Sequence, residues 1–384
     1  MDKVKLGIVG FGNMGSAHAN NIKKGLCPEI ELVAVADRKS ARREIAESLI
    51  EGVKIYKEGI DLIENADVDA VLIAVPHYQH AELSIAGLEN GKHVMCEKPA
   101  SVYTLQARDM IKAADAHSDL TFAMMFNQRT NCLYRKMKEI IDSGELGAIR
   151  RVNWLITDWF RTQYYYDSGA WRASWVGEGG GVLLNQCPHN LDLLQWICGL
   201  PVKVMAHCHE GKWHDIEVED DVTAYLEFEN GATGVFVTTT GDAPGTNRFE
   251  VSGDLGKLVC ENGKLVFHKL DQKVSEFLVE SKEGFATPAC EVVELETDGK
   301  NEQHVGVLNA FAAHILNGER LVADGREGIN GLMLSNAMHL SSWLGHAVTL
   351  PIDEELFKKE LEKRVAHSKL RDANEVVMDT SDSY

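Results

Sequence analysis

Two short stretches carry side chains able to move a proton or steady a developing charge. Glu97-Lys98-Pro99 stands just past the run His93 to Cys96, and a second cluster runs Gly179-Gly180-Gly181-Val182-Leu183-Leu184-Asn185-Gln186-Cys187-Pro188-His189-Asn190-Leu191-Asp192. A lysine ammonium stabilises oxyanion character, and a histidine exchanges a proton near neutral pH. Pro188 suits the first position of a helix, so His189 and Asp192 share one helix face. Asn185 precedes that helix and depends on its loop to reach them. Taken alone, Lys98 reads as a solvated charge and His189 as a core histidine; their setting at element ends gives them weight.

A third stretch, Gly10-Phe11-Gly12-Asn13-Met14-Gly15, follows a strand pattern and opens a helix, the context that lifts G-x-G-x-x-G above chance. Gly10 permits the tight turn, Gly12 lets backbone approach a pyrophosphate, and Gly15 allows helix and strand to pack closely. The helix N-terminus then offers partial positive charge to phosphates. Asp37 ends the second strand where a carboxylate meets ribose hydroxyls and repels a 2'-phosphate, which favours NAD; Arg38 follows directly and leaves NADP open. Pro76 and His77 close another strand at the carboxyl edge of the sheet. Together with His80, Glu97, Lys98 and Asn127 they complete the expected cofactor contacts.

Between the two clusters lie Trp154, Asp158, Trp159, Arg161, Tyr164, Tyr165, Tyr166, Trp171, Arg172 and Trp175. Aromatic faces pack on sugar or cyclitol rings while polar groups take hydroxyls, although about half of such residues belong to a core on general grounds. The expected substrate contacts are Lys98, Arg161, Trp171, Arg172, Asn185, His189 and Asp192, with the two arginines open to a carboxylate, a phosphate or a structural role.

These residues need positioning elements. Up to about Met125, strand patterns (Lys5 to Val9, Leu32 to Ala36, Ala70 to Ala74, His93 to Cys96, Thr121 to Met125) alternate with helical ones such as Ala41 to Leu49 and Leu105 to Ala116. That rhythm predicts a doubly wound Rossmann domain over residues 1–126. After Asn127 the pattern changes: a helix at Leu133 to Ile141, a long strand from Arg151 to Trp159, a helix at Leu191 to Cys198, then strands at Val222 to Phe228, Thr233 to Thr239, Arg248 to Ser252 and Leu265 to His268 separated by turn residues. Residues 127–384 therefore predict an α+β domain with a large, mostly antiparallel open sheet of consecutive strands. Helices return at Val305 to Leu316 and Gly328 to Leu344, and a charged helix after Pro351 fades into a polar end expected to be mobile.

A length of 384 residues favours two domains, and 45% hydrophobic with 25% charged residues is ordinary for a globular chain. The net charge of -19 and the lack of a basic cluster exclude a nucleic-acid partner. Eight scattered cysteines without a C-x-x-C pair predict reduced thiols in the cytoplasm. His207-Cys208-His209 does not predict a metal, because alternate strand residues face opposite sides. No signal peptide and no membrane span is expected.

At these residues the sequence resembles the glucose-fructose oxidoreductase / inositol dehydrogenase / MocA family. The likeness covers nearly the whole chain, through the glycine fingerprint, Gly91 to Pro99, Ser143-Gly144-Glu145-Leu146-Gly147, the cluster at 179–192 and Leu350-Pro351-Ile352-Asp353. It implies an NAD(P)-dependent dehydrogenase that moves a hydride between nicotinamide and a hydroxyl carbon of a sugar, glycoside or cyclitol. Lys98 would contact the reacting hydroxyl and His189 would act as its general base. Many relatives carry an aspartate at the position of Asn185, which here can hydrogen-bond but brings no charge. The resemblance also implies a homodimer or homotetramer joined through the open sheet face. Two alternatives are an NAD-dependent glycosidase working by transient oxidation and a non-catalytic cofactor-sensing regulator; retention of both Lys98 and His189 argues against the latter.

Overall fold

The computed structural model describes residues 3–371. The first half places β1 (Val4–Val9), α1 (Asn13–Lys23), β2 (Ile30–Ala36), α2 (Ser40–Leu49), β3 (Lys54–Tyr56), α3 (Gly59–Asn65), β4 (Ala70–Ile73), α4 (His80–Glu89), β5 (His93–Cys96), α5 (Thr104–Ala116) and β6 (Phe122–Met124) in chain order. The six strands form one parallel sheet in the order β3-β2-β1-β4-β5-β6. Every residue of β4 is buried, as a strand covered by helices on both faces must be. The order reverses between β1 and β4, the point at which doubly wound sheets open a crevice for ligands.

The second half contains α6 (Cys132–Asp142), β7 (Ile149–Ile156), α7 (Gln163–Asp167), α8 (Pro188–Cys198), β8 (Lys203–Glu210), β9 (Glu219–Glu227), β10 (Thr233–Thr239), β11 (Asn247–Gly253), β12 (Gly256–Glu261), β13 (Lys264–Leu270), α9 (Val274–Glu280) and β14 (Cys290–Glu294). It closes with α10 (Gln303–Asn317), α11 (Gly328–Leu344), β15 (Val348–Thr349) and α12 (Glu354–Val365). Nine strands pair as β14-β13-β12-β11-β7-β10-β9-β8-β15.

This sheet departs from a simple run of consecutive antiparallel strands. β7 inserts between β11 and β10, antiparallel to the first and parallel to the second. Its alternating Val152, Trp154 and Ile156 are fully buried, so the strand gains from a central place. Trp154 stacks on Phe249 across the pair, 4.0 Å between centroids and 6° between planes. The strand ends at Ile156 instead of Trp159, and the following aromatic residues fall in a loop.

The division at 126/127 is crossed by α10, whose Val307, Leu308, Phe311 and Ala312 join the same buried cluster as β1 and β2. Just beyond, the Met124 amide donates to the Ala323 carbonyl at 3.2 Å. Helix α11 returns to the second sheet, where its Ser341 hydroxyl accepts the Ala206 amide. Among the described residues no helix is long and apolar enough to cross a membrane, and no group of metal-ligating side chains occurs, the His207-Cys208-His209 strand included. The polar end beyond Arg371 lies outside the described residues.

Candidate active site

The glycine turn fits between β1 and α1 for steric reasons that differ at each position. Gly10 has φ +95°, and a Cβ there would lie 2.4 Å from the Ala74 carbonyl oxygen; one at Gly15 would lie 2.0 Å from the Gly10 oxygen. At Gly12 a Cβ meets nothing within 4 Å. Gly10 and Gly15 are thus demanded by the protein, whereas Gly12 faces open cleft. Helix α1 begins there with no side-chain cap and no acid in its first turn, and the buried Asn13 Oδ1 has no hydrogen-bond partner among the described residues. Such a terminus attracts a phosphate.

One continuous cleft of about 410 Å³ runs from this turn and Asp37 to Lys98, Arg172 and Asn185. Asp37 is set by the Phe11 amide at 2.8 Å and the Lys39 amide at 2.9 Å, one on each oxygen. Phe11 contributes only that amide, since its ring is buried in the core of the first sheet. Arg38 lies at the cleft rim and pairs with Glu58 at 2.8 Å.

At the carboxyl edge of the sheet, His77 and Glu97 are buried side chains lining the same cleft. Burial pushes the Glu97 carboxyl up, but the hydrogen bond from His18 at 2.7 Å, with His304 and Lys98 nearby, outweighs it and holds the group at about 2. His80 commits both ring nitrogens to backbone, 2.7 Å from the Pro99 carbonyl and 2.8 Å from that of Val75, so it braces the wall without offering a ring nitrogen to a ligand. Asn127, expected among the cofactor contacts, is fully buried, donates to Gln303 at the start of α10 and does not line the cleft.

Lys98 donates its ammonium to the main-chain carbonyl of Asn185 at 2.9 Å. Burial pushes its pKa below the usual lysine range, Arg172 and Arg161 push the same way, and Glu97 and Glu178 oppose them. The Asn185 amide group turns to Glu178 and donates to its Oε1. Glu178 is only 2% exposed, and its second oxygen accepts the Ala173 amide. Burial lifts this carboxyl to about 6 against the opposing pull of Arg172. The three glycines that follow thread a tight loop: a Cβ at Gly181 would lie 1.9 Å from the Glu219 oxygen, and the Glu219 carboxylate accepts the Gly181 and Leu183 amides.

His189 lies in the first turn of α8, 3% exposed and edge-on to Phe126. Burial drives its pKa well below the ordinary histidine value, and the neighbouring Lys98 charge and His304 add to the shift. The ring is therefore neutral at pH 7. It stands within electrostatic reach of Lys98 and Glu97 but does not line the cleft. Asp192 does not line the cleft: both its oxygens take Arg129, at 2.7 and 2.8 Å, in a buried ion pair that fixes α8 to the segment after β6.

Trp171 and Arg172 line the inner cleft, and Trp171 meets His77 edge-on at 5.4 Å. Arg161 stacks on Trp159 and Tyr165 outside the cleft wall. Trp154 and Trp175 are core residues. Glu178, His18 and His304 escaped the reading of the sequence. The one visible signal was that Glu178 immediately precedes the glycine run, and nothing in the spacing links His18 to Glu97.

Residues 4–125 match the oxidoreductase family with NAD-binding Rossmann fold, and residues 134–259 match the GFO/IDH/MocA C-terminal domain. The chain is 27% identical over 344 residues to the myo-inositol 2-dehydrogenase of Thermotoga maritima, covering 87% of this chain and 95% of that one. Among solved structures it is similar to the WlbA dehydrogenase of Bordetella pertussis in complex with NADH and UDP-GlcNAcA, with a TM-score of 0.77, 26% identity, and 92% and 99% of the two chains covered. A levoglucosan dehydrogenase in complex with NADH and levoglucosan shares the fold at a TM-score of 0.75 and 20% identity, covering 91% of this chain and all of that one. With both halves matched in order and the cleft between the Gly10 turn and Lys98 in place, the chain belongs to the GFO/IDH/MocA family of NAD-binding oxidoreductases.

Proposed function

We propose that this NAD-dependent dehydrogenase oxidises, or in reverse forms, a secondary hydroxyl on a sugar, glycoside or cyclitol. The observation that carries the reading is the meeting of Lys98 and Asn185 at the inner end of the cleft whose outer end is the glycine turn and Asp37, with neutral His189 outside the lining but within electrostatic reach of Lys98. The open space at Gly12, the uncapped start of α1 and the carboxylate of Asp37 fit pyrophosphate and ribose, so these residues would hold NAD. Bound NAD supplies the hydride acceptor. Lys98 steadies the substrate oxygen as it gains negative character, and His189, buried neutral, accepts the hydroxyl proton. Glu178 is a positioning residue: it fixes Asn185, whose carbonyl fixes Lys98, and supplies the negative charge absent from Asn185 itself. Asp37 gives NAD the advantage over NADP, because Arg38 is already paired with Glu58.

A panel of sugars and cyclitols, followed at the reduced nicotinamide absorbance with each cofactor, tests the reaction. Net reduction of free NAD separates it from a glycosidase that regenerates its cofactor each turn, and no turnover across the panel argues against a dehydrogenase. The exposed face of the second sheet, with Leu155, Tyr225 and Val292 outward, is proposed as the surface of a homodimer or homotetramer, checked by sedimentation equilibrium.

A further inference from the structure

The proposed reaction leaves two cations without a task. Arg161 and Arg172 both lie over the Tyr165 ring, their guanidinium carbons 5.2 and 4.5 Å from its centroid. Each also covers a tryptophan, Trp159 at 5.5 Å and Trp171 at 4.6 Å. Arg161 donates to the Phe160 carbonyl and Arg172 to the Tyr165 hydroxyl. Among the described residues neither has a carboxylate within ion-pair distance, and both are half-buried; Asp158 acts on Arg161 only from beyond that distance. The chain is not short of carboxylates, with 58 acidic residues against 39 basic ones. Glu178 acts on Arg172 only from beyond that distance, and its own oxygens are held by Asn185 and the Ala173 amide.

Two like charges sharing one ring and partly withdrawn from water repel each other, so a protein keeps them together where a negative group completes the set. Stacking occupies the flat faces of a guanidinium and leaves its N–H edge free, the edge that grips a carboxylate through paired hydrogen bonds. Arg172 and Trp171 line the same cleft as Lys98, with Arg161 outside its lining across Tyr165, so an anion gripped on the Arg172 edge would have its neighbouring carbons in the cleft that holds the reactive lysine.

We propose that Arg161 and Arg172 form an anion subsite and that the substrate is a sugar acid, its carboxylate held by this pair and its hydroxyl presented to Lys98. The proposal rests on the hydride-transfer reading and narrows its substrate class. Calorimetry on the enzyme loaded with NADH, titrated with glucuronate, galacturonate and gluconate against glucose, galactose, myo-inositol and glucose 6-phosphate, tests it. The acids should bind at least tenfold more tightly than the neutral sugars and should weaken as salt is added. Arg161→Met and Arg172→Met should each erase most of that preference, and Arg172→Lys, which keeps charge but not the fork, should retain part of it. NADH affinity and melting temperature monitor the fold of each variant. Equal binding of neutral and acidic sugars, tighter binding of the phosphate, or a preference that survives in both methionine variants would overturn the subsite. Acids that bind as expected yet never reduce NAD would instead count against the hydride-transfer reading while leaving the subsite standing.

Discussion

The ammonium of Lys98 is held by the main-chain carbonyl of Asn185, while the side chain of Asn185 is held by Glu178. The lysine anchor is therefore a main-chain group, and the side chain at position 185 acts on it only at one remove. Asn185→Ala should lower kcat/KM by no more than about tenfold, far less than Lys98→Met, but should cost about 1–3 kcal/mol of stability by leaving a buried Glu178 oxygen without its donor. Asn185→Asp sets two carboxylates against each other and should move Glu178 further up. Steady-state kinetics with thermal melts of the three variants check this; an Asn185→Ala defect as deep as that of Lys98→Met would mean that the side chain carries the work.

His189 is neutral well below pH 6.5, because burial and then the Lys98 charge disfavour its protonation. Alcohol oxidation should thus rise with pH along a limb placed below the ordinary histidine range and be flat through neutrality. His189→Ala should abolish that limb and lower kcat by about 10²- to 10⁴-fold with cofactor affinity nearly unchanged. In Lys98→Met the residual limb should shift upward, since a repelling charge is gone. A limb that survives in His189→Ala would assign the base to another residue.

Glu178 works against the fold it sits in. Its carboxyl is raised from 4.5 to about 6 by burial, so the folded state binds the proton more tightly than the unfolded chain. Stability contributed by the protonated form is complete below about pH 4.5, falls as pH rises to about 6, and stays about 2 kcal/mol lower beyond that. Glu178→Gln removes this titration but turns an NH2 onto one of the two N–H donors that the carboxylate accepts, so its melting temperature should change less between pH 5 and pH 8 than that of the parent. Its kcat should fall while KM for NAD stays put, and Glu178→Asp should rescue part of the loss. A Gln variant that is both more stable and fully active would leave Glu178 with no role in positioning.

At the other end of the cleft, Gly12→Val should fold and lose cofactor, because a Cβ there meets no protein atom within 4 Å and the side chain would grow from the lining into the cleft. Gly15→Val should fail to fold properly, since even its Cβ collides with the Gly10 carbonyl. Circular dichroism and calorimetry on the pair distinguish the two losses. Asp37→Ser should narrow the preference for NAD, and Glu58→Ala, which frees Arg38 from its ion pair, should narrow it further. Unchanged NADP affinity in both variants would place discrimination elsewhere.

The glycine turn, the strand ends and the Lys98 and His189 clusters were legible in the sequence because each ties a residue type to a local backbone demand. Placement across the fold was not. Asp192 looked like a partner of His189 on the same helix face, but Arg129, 63 positions away, claims both its oxygens. His80 opens α4 and gives both ring nitrogens to backbone, and Asn127, just past β6, gives its NH2 to Gln303. β3 went unread because three half-exposed residues carry almost no periodic signal. The central position of β7 depends on partners found far along the chain.

Helix α10 lends the aromatic ring of Phe311 and its neighbours to the core of the first sheet, although the chain reaches it only after traversing the second. The first half is consequently expected not to fold when cut at residue 126. A fragment ending there would present the bare apolar seat of α10 to water, together with the edge of β6 where Ala123 pairs with Asp324. Expressed alone, residues 1–126 should aggregate, and supplying residues 303–324 as a separate peptide should restore a monodisperse, cooperatively melting complex; a fragment that is already monodisperse without it would show that the borrowed helix is dispensable. The same loan means that the chain crosses between the two halves after β6, on entering α10 and again before α11.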